Sequence, residues 1–267
     1  MRGRVLVVAG SDSGGGAGLQ ADLKTISALG GYGATAVTAL TAQNTQGVFA
    51  VHEVPPDFVR RQMAAVLEDI GADVVKTGML AHAGIIEVVA EALQSLAGAV
   101  PLVVDPVMVA KGGAPLLAGA ALDALRTLLL PRAALITPNL PEAEALLGRA
   151  IAGRAAMERA AADLLALGCG AVLLKGGHMD GDDLLDVLAR PSGLAVFSGR
   201  RIATTSTHGT GCTLASAIAC GLAQGMDLMA AVERGRVFVR RALQTAPGLG
   251  RGHGPLDHLH AIPDYSW

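Results

Sequence analysis

What most limits the fold of this chain is a rhythm. Short β-branched, apolar runs at residues 4–9, 34–40, 73–77, 102–105, 133–137 and 171–175 recur between amphipathic stretches long enough for helices. Alternation of this kind predicts an α/β architecture, a mostly parallel central sheet covered by helices. Several of the runs are apolar throughout, as strands buried on both faces must be, and each ends in a polar or glycine-bearing turn. Candidate helices cover 17–29, 57–69, 83–96, 118–130, 154–167, 213–223 and 228–245, with Pro131 and Pro141 as punctuation. The Gly- and charge-rich stretch 177–201 contains 184–188 and 194–198, predicted as an antiparallel edge pair joined by a turn at 190–193. No linker or repeat interrupts the pattern, so residues 1–267 are expected to form one domain. The end, 247–267, reads as a surface loop with His258 and His260 in solvent.

Composition narrows the partners. Of 267 residues 51% are apolar and 16% charged, and the formal net charge is -2, which gives no general attraction to nucleic acid or to an anionic membrane. Small molecules are the expected partners. Charged residues or Gly and Pro clusters break every apolar stretch before it could span a bilayer. The run that opens the chain stops at a Gly-rich loop and reads as a first strand rather than a signal sequence. Cys169, Cys212 and Cys220 have no metal-ligand spacing and cannot all pair, which favours a reducing compartment, the cytoplasm. On one helix Cys212 and Cys220 would be roughly 12 Å apart in rise, beyond disulfide reach.

Ligands of such sheets gather at the carboxyl ends of the strands. The first run leads into the loop Gly10-Ser11-Asp12-Ser13-Gly14-Gly15-Gly16-Ala17-Gly18 and then a helix, where backbone amides could approach a ligand closely. It is not a Walker A loop, because no Lys-Ser or Lys-Thr follows the glycines, and the acid of a dinucleotide site is missing from Ala39-Leu40-Thr41-Ala42-Gln43-Asn44. A nicotinamide enzyme is therefore disfavoured. Thr207-His208-Gly209-Thr210-Gly211-Cys212-Thr213 opens a small-residue helix, and its converging amides suit phosphoryl oxygens. A thiol there is expected to have a lowered pKa and could serve as general base toward a hydroxyl. Asp105 before Pro106, Asn139 and Glu142 around Pro141, and Lys175 before Gly176 add two acids, an amide and a cation at further strand ends. The acids could hold magnesium, mostly through water. Each also has a plain structural reading: Asp105 as a cap, Glu142 in a helix first turn, Lys175 as a solvated charge.

The phrases 9–22 and 38–45, Lys76-Thr77-Gly78-Met79-Leu80, Asp105-Pro106-Val107-Met108 and His208-Gly209-Thr210-Gly211-Cys212 resemble the hydroxymethylpyrimidine/phosphomethylpyrimidine kinases of thiamine biosynthesis, nearly end to end. The Gly-Thr-Gly loop alone would indicate only the wider ribokinase-like superfamily. The resemblance implies a Rossmann-like three-layer sandwich, a homodimer, ATP with Mg2+, and two successive phosphorylations of 4-amino-5-hydroxymethyl-2-methylpyrimidine. Carried over by motif, Gln43 reads the aminopyrimidine edge with Gly10, Ala17, Asp22, Met79 and Val107 around the ring. Cys212 stands where sugar kinases of the superfamily carry an aspartate base, and Gly209 and Gly211 form the anion hole. Lys175, with Asn139, Thr210 and Gly211, serves the nucleotide, while Asp105 and Glu142 organise the metal. Ser13-Gly14-Gly15-Gly16 departs from the second serine or proline of many relatives, which leaves a backbone role but not a side-chain one. A vitamin B6 kinase is the nearest rival, since pyridoxine offers a similar hydroxymethyl group; a non-enzymatic ligand sensor is a third reading. Segments 111–115 and 180–183 are candidate lids.

Overall fold

The computed structural model describes residues 3–94, 100–108, 119–177 and 181–262. The candidate lid 111–115, His178 and Asp180 lie outside the described residues. The strands are β1 (Arg4–Asp12), β2 (Tyr32–Asn44), β3 (Gly47–Glu53), β4 (Val74–Thr77), β5 (Leu102–Val104), β6 (Leu135–Ile136), β7 (Val172–Lys175), β8 (Asp183–Arg190) and β9 (Gly193–Arg200). They form one sheet in the order β3-β2-β1-β4-β5-β6-β7-β8-β9. The pairs from β2 through β7 are parallel, and β2–β3, β7–β8 and β8–β9 are antiparallel.

The helices are α1 (Gly18–Ala28), α2 (Pro56–Asp69), α3 (Ala83–Gln94), α4 (Ala120–Ala124), α5 (Leu140–Leu147), α6 (Arg154–Leu165), α7 (Thr210–Ala223) and α8 (Leu228–Gln244). Strand periodicity divides them into two layers. Val5, Val7 and Ala9 of β1 pack with Leu19 and Ile26 of α1, Ile218 of α7 and Val232 of α8. Leu6 and Val8 face the other way, toward Val59 and Met63 of α2, Ile85 of α3, Leu146 of α5 and Met157 of α6. Each fully buried aliphatic side chain stabilises the fold by roughly 1.5–3 kcal/mol relative to exposure. The result is the expected α/β/α sandwich. No helix among the described residues is long and apolar enough to cross a membrane.

Three elements depart from the sequence reading. β3 was not expected: it lies on the sheet edge with most of its residues exposed, so no buried face imposes a pattern on it. α5 was not expected either, being eight residues long with Pro141 in its first turn. Asn139 caps it, accepting from Glu142 N while Glu142 Oε2 accepts from Asn139 N. This is a capping box, and it places Glu142 in a helix first turn, the plain structural reading of that acid. Finally, α7 begins at Thr210 rather than Thr213, which places Cys212 inside its first turn.

The chain end also corrects an expectation. His258 is buried and shares a 2.9 Å hydrogen bond with Thr213 Oγ1, and His260 Nε2 lies 3.1 Å from the Phe238 carbonyl. Gly252 and Gly254 permit this approach, since a Cβ on Gly252 would stand 2.1 Å from Thr45 O and one on Gly254 2.7 Å from Ser206 Oγ. Burial, assisted by Lys24, lowers the His258 pKa from 6.5 to about 4. Below pH 6.5 the unfolded chain therefore binds a proton that the folded chain refuses, and stability falls with pH until about 4, where both are protonated. This one group removes roughly 3 kcal/mol over that window. In urea titrations at pH 7 and pH 4.5, His258→Gln should lose much less stability on acidification than the wild type; an identical loss would show that His258 is not the group responsible.

Candidate active site

From β1 the chain steps to β2 on one side, yet β4 lies on the other side of β1. This reversal opens a crevice at the carboxyl ends of β1 and β4, the place where open α/β sheets bind ligands. A cavity of about 690 Å³ occupies it, within the range of small-molecule sites. Among the described residues its wall runs from Thr41 and Gln43 on β2, past Gly10 to Asp12 and Met79, to Asp105, Lys175 and the start of α7.

The first glycine loop is organised from within. Asp12 accepts the amides of Gly14, Gly16 and Ala17 at 2.8, 3.0 and 2.8 Å. Those amides are committed to a side chain, so the loop is not the open amide cradle that its glycines suggested. Burial alone would raise the Asp12 pKa, but the bonds from His208, Ala17 and Gly14 outweigh it and hold the carboxyl below its ordinary value. His208 Nε2 lies 2.8 Å from Asp12 Oδ2 and 3.0 Å from Gln43 Nε2. The two glycine loops touch here: Gly209 has φ +83°, and a Cβ on it would lie 1.9 Å from Gly16 O.

At the other end of the cavity, Gly209 is the N-cap of α7 and offers no side-chain cap, and the first turn of the helix, with its uncapped amides, lines the cleft. Lys175 Nζ lies 3.1 Å from Asp105 Oδ1, which also accepts from Thr137 Oγ1 at 3.0 Å. A Cβ on Gly211 would stand 3.2 Å from Lys175 Nζ, so glycine lets this cation approach the helix end. Burial works against the Lys175 charge, but Asp105 and Glu142 more than offset it. Burial, with Asp105 nearby, raises the Glu142 pKa to about 7 against the opposing pull of Lys175.

The thiol is where expectation and structure part most clearly. Burial pushes the Cys212 pKa up to about 12, although Lys76 pulls it the other way. A helix N-terminus contributes up to ~2 kcal/mol, whereas desolvation of a buried group shifts a pKa by up to about 3–5 units. Desolvation wins, and the thiol stays protonated near neutral pH.

Beneath the cavity, Lys76 is fully buried and donates to both Asp22 oxygens at 3.0 and 2.9 Å, while Ser216 Oγ donates to Asp22 Oδ1 at 2.6 Å. Burial opposes the Lys76 charge, yet the Asp22 carboxylate overcomes it and keeps the ammonium ionised. α1 and α7 supply the two partners because Lys76 shares the strand face of Val74, which packs on them.

The cavity thus gathers Gly10, Ala17, Gln43, Met79, Asp105, Val107, Asn139, Glu142, Lys175, Gly209, Thr210, Gly211 and Cys212. Asp22 alone of the expected residues is not on its wall; it holds Lys76, which is, so its link to the cavity runs through that lysine. Sequence reasoning missed Asp12, His208 and Lys76. Lys76 left a signal, a lone charge in an otherwise apolar run, which requires a buried partner.

The model of the family described as Phosphomethylpyrimidine kinase matches residues 12–257. The chain is 52% identical to the thiamine biosynthesis bifunctional protein ThiED of Geobacter sulfurreducens over 98% of its own length, but spans only 54% of that longer protein. It is 50% identical to the hydroxymethylpyrimidine/phosphomethylpyrimidine kinase of Streptomyces coelicolor, covering 97% of this chain and 95% of the relative. Among solved structures, the pyridoxal kinase of Staphylococcus aureus in complex with AMP-PCP and pyridoxal matches with a TM-score of 0.90 at 33% identity, covering 98% of this chain and 95% of that one.

Proposed function

From the premise that this chain belongs to the phosphomethylpyrimidine kinase family, we propose that it transfers the terminal phosphoryl group of ATP to the hydroxymethyl oxygen of 4-amino-5-hydroxymethyl-2-methylpyrimidine, and then a second one to the phosphate so formed, toward thiamine diphosphate. In the first step the hydroxyl oxygen forms the new P–O bond, the bond to the ADP oxygen breaks, and the hydroxyl proton passes to a base at the site or to solvent. The observation that carries this reading is one cavity holding an amide-bearing end, with Gln43, and a cationic end, with Lys175 and the first turn of α7. A phosphoryl-transfer site works mainly by positioning and electrostatics, which is what that end supplies.

Lys175 and the amides of Thr210 to Cys212 would meet charge developing on the transferred group. Asp105 and Glu142 line the same wall, and two carboxylates with phosphate oxygens and waters are a fitting donor set for Mg2+. The ion would neutralise phosphate charge when bound. Gln43 would pair with the ring edge through an amide that both donates and accepts. Gln43→Ala should raise the pyrimidine KM at least about tenfold while leaving ATP affinity within about twofold, consistent with the loss of a paired polar contact; unchanged values for both would remove Gln43 from the ring contact.

A pyridoxal kinase is the second reading, favoured by the 0.90 TM-score to that S. aureus enzyme. The higher identity to the Streptomyces relative, 50% against 33%, supports the pyrimidine. We further propose a cytoplasmic homodimer. Its compartment is argued from three unpaired cysteines, and the exposed Leu40, Phe49 and Val51 at the β2–β3 edge are the surface offered to a second copy. Sedimentation of the protein with and without Phe49→Lys reads the assembly.

A further inference from the structure

The amide of Gln43 is ambiguous by shape, since its two ends are nearly the same size and differ only in which donates and which accepts. Its neighbours remove the ambiguity. Asp12 accepts three backbone N–H groups and is ionised, so it supplies no proton to the 2.8 Å contact with His208 Nε2. The proton in that contact therefore sits on His208 Nε2. With the amide nitrogen 3.0 Å from His208 Nε2, two donors would face each other. A half-turn of the amide brings its oxygen to that same N–H, which Asp12 and Gln43 then share as a three-centre bond.

The other end of the amide gives the same answer. Thr41 Oγ1 lies 3.2 Å from the opposite terminal atom of Gln43, and it can donate its proton to Ser11 O at 2.9 Å. Thr41 then accepts from Gln43, which requires the N–H2 group on that side. Every donor in the chain from Asp12 to Ser11 now meets an acceptor.

Resting on the reading of the cavity as a pyrimidine-kinase site, we infer that the Asp12–His208 pair is its specificity device: it fixes which end of the Gln43 amide accepts and which donates, and so selects ring edges of one hydrogen-bonding polarity. A 4-aminopyrimidine edge sets an N–H2 donor beside an unprotonated ring nitrogen. A 4-oxo ring sets a carbonyl acceptor beside a ring N–H, the reverse order. A fixed amide pairs fully with the first and mispairs with the second. An unanchored amide turns to suit either. His208 is thus a positioning residue acting through Gln43.

The test compares kcat/KM and calorimetric affinity for the 4-amino substrate and its 4-oxo analogue. Wild type should favour the amino ring by about a hundredfold or more, the scale at which a site rejects mispaired polar groups. His208→Ala should shrink that ratio to below about tenfold. His208→Gln keeps an N–H at similar reach and should restore most of the ratio, which a merely structural loss would not explain. If the His208→Ala chain does not fold, Thr41→Val carries the test, because it removes the acceptor at the other end of the amide. A wild type that accepts both rings equally, or a folded variant that keeps the full ratio, overturns the inference. A wild type that phosphorylates neither ring overturns the kinase reading and the inference with it, and so is told apart from failure of the inference alone.

Discussion

Replacing Cys212 with alanine should lower turnover by about two to four orders of magnitude while ATP still binds, the range expected for a group that handles the reacting proton or phosphoryl charge. The thiol sits in the first turn of α7, beside the amides that face the cleft and above the buried Lys76–Asp22 pair. Its pKa, pushed by burial up to about 12, means that the free enzyme does not hold a ready thiolate. A protonated thiol cannot accept the substrate proton, so Cys212 acts as base only after losing its own; as a thiol it can instead donate to a transferred oxygen beside the α7 amides. Iodoacetamide should accordingly alkylate Cys212 in the free enzyme slowly, with a rate rising about tenfold per pH unit through pH 9 and no plateau, because only the thiolate reacts. A plateau near neutral pH would show that the helix end does outweigh burial. Near-normal turnover of Cys212→Ala, with the thiol gone, would remove the residue from the chemistry.

Gly209→Ala should cost nearly as much activity and, unlike the cysteine variant, stability as well. Gly209 has φ +83°, which alone disfavours a side chain by about 1–2 kcal/mol. The added methyl would lie 1.9 Å from Gly16 O, a backbone atom that cannot swing aside. One of the two glycine loops must therefore move, and both shape the cavity: Gly16 sits in the turn that Asp12 ties down, and Gly209 begins the helix whose first turn lines the cavity. A fall in kcat/KM of at least about a hundredfold, of the size that misplacement near a reacting centre produces, should accompany a lower melting temperature and an unchanged far-ultraviolet spectrum. Gly47, whose Cβ would meet nothing, is the control, and Gly47→Ala should change neither. Retention of activity by Gly209→Ala would mean that the loops do not depend on this contact.

How much of this was legible beforehand depends on how local each cause is. The parallel strands were readable because burial on both faces leaves continuous apolar runs such as Val5 to Ala9. Cys212, Lys175, Asp105 and Glu142 were readable because they follow strands or open a helix, where a crevice had to lie. β3 was not, since an exposed edge strand carries little pattern, and α5 was hidden by its brevity and by Pro141. The Asp12–His208 contact joins residues from opposite ends of the chain and depends on how two loops meet, which no local spacing encodes. The same holds for His258, whose polar surroundings in sequence give no sign that Thr213 will bury it. For the thiol, the local cue and the tertiary one had opposite signs, and the tertiary one was larger.

The most direct test of the kinase assignment is ADP release coupled to a spectrophotometric readout, with MgATP and, in parallel, hydroxymethylpyrimidine, its monophosphate and pyridoxine, each product identified by mass spectrometry. The expected result is diphosphate formed from both pyrimidines, with pyridoxine turned over far more slowly; turnover of pyridoxine alone would contradict the pyrimidine assignment and the role given to Gln43.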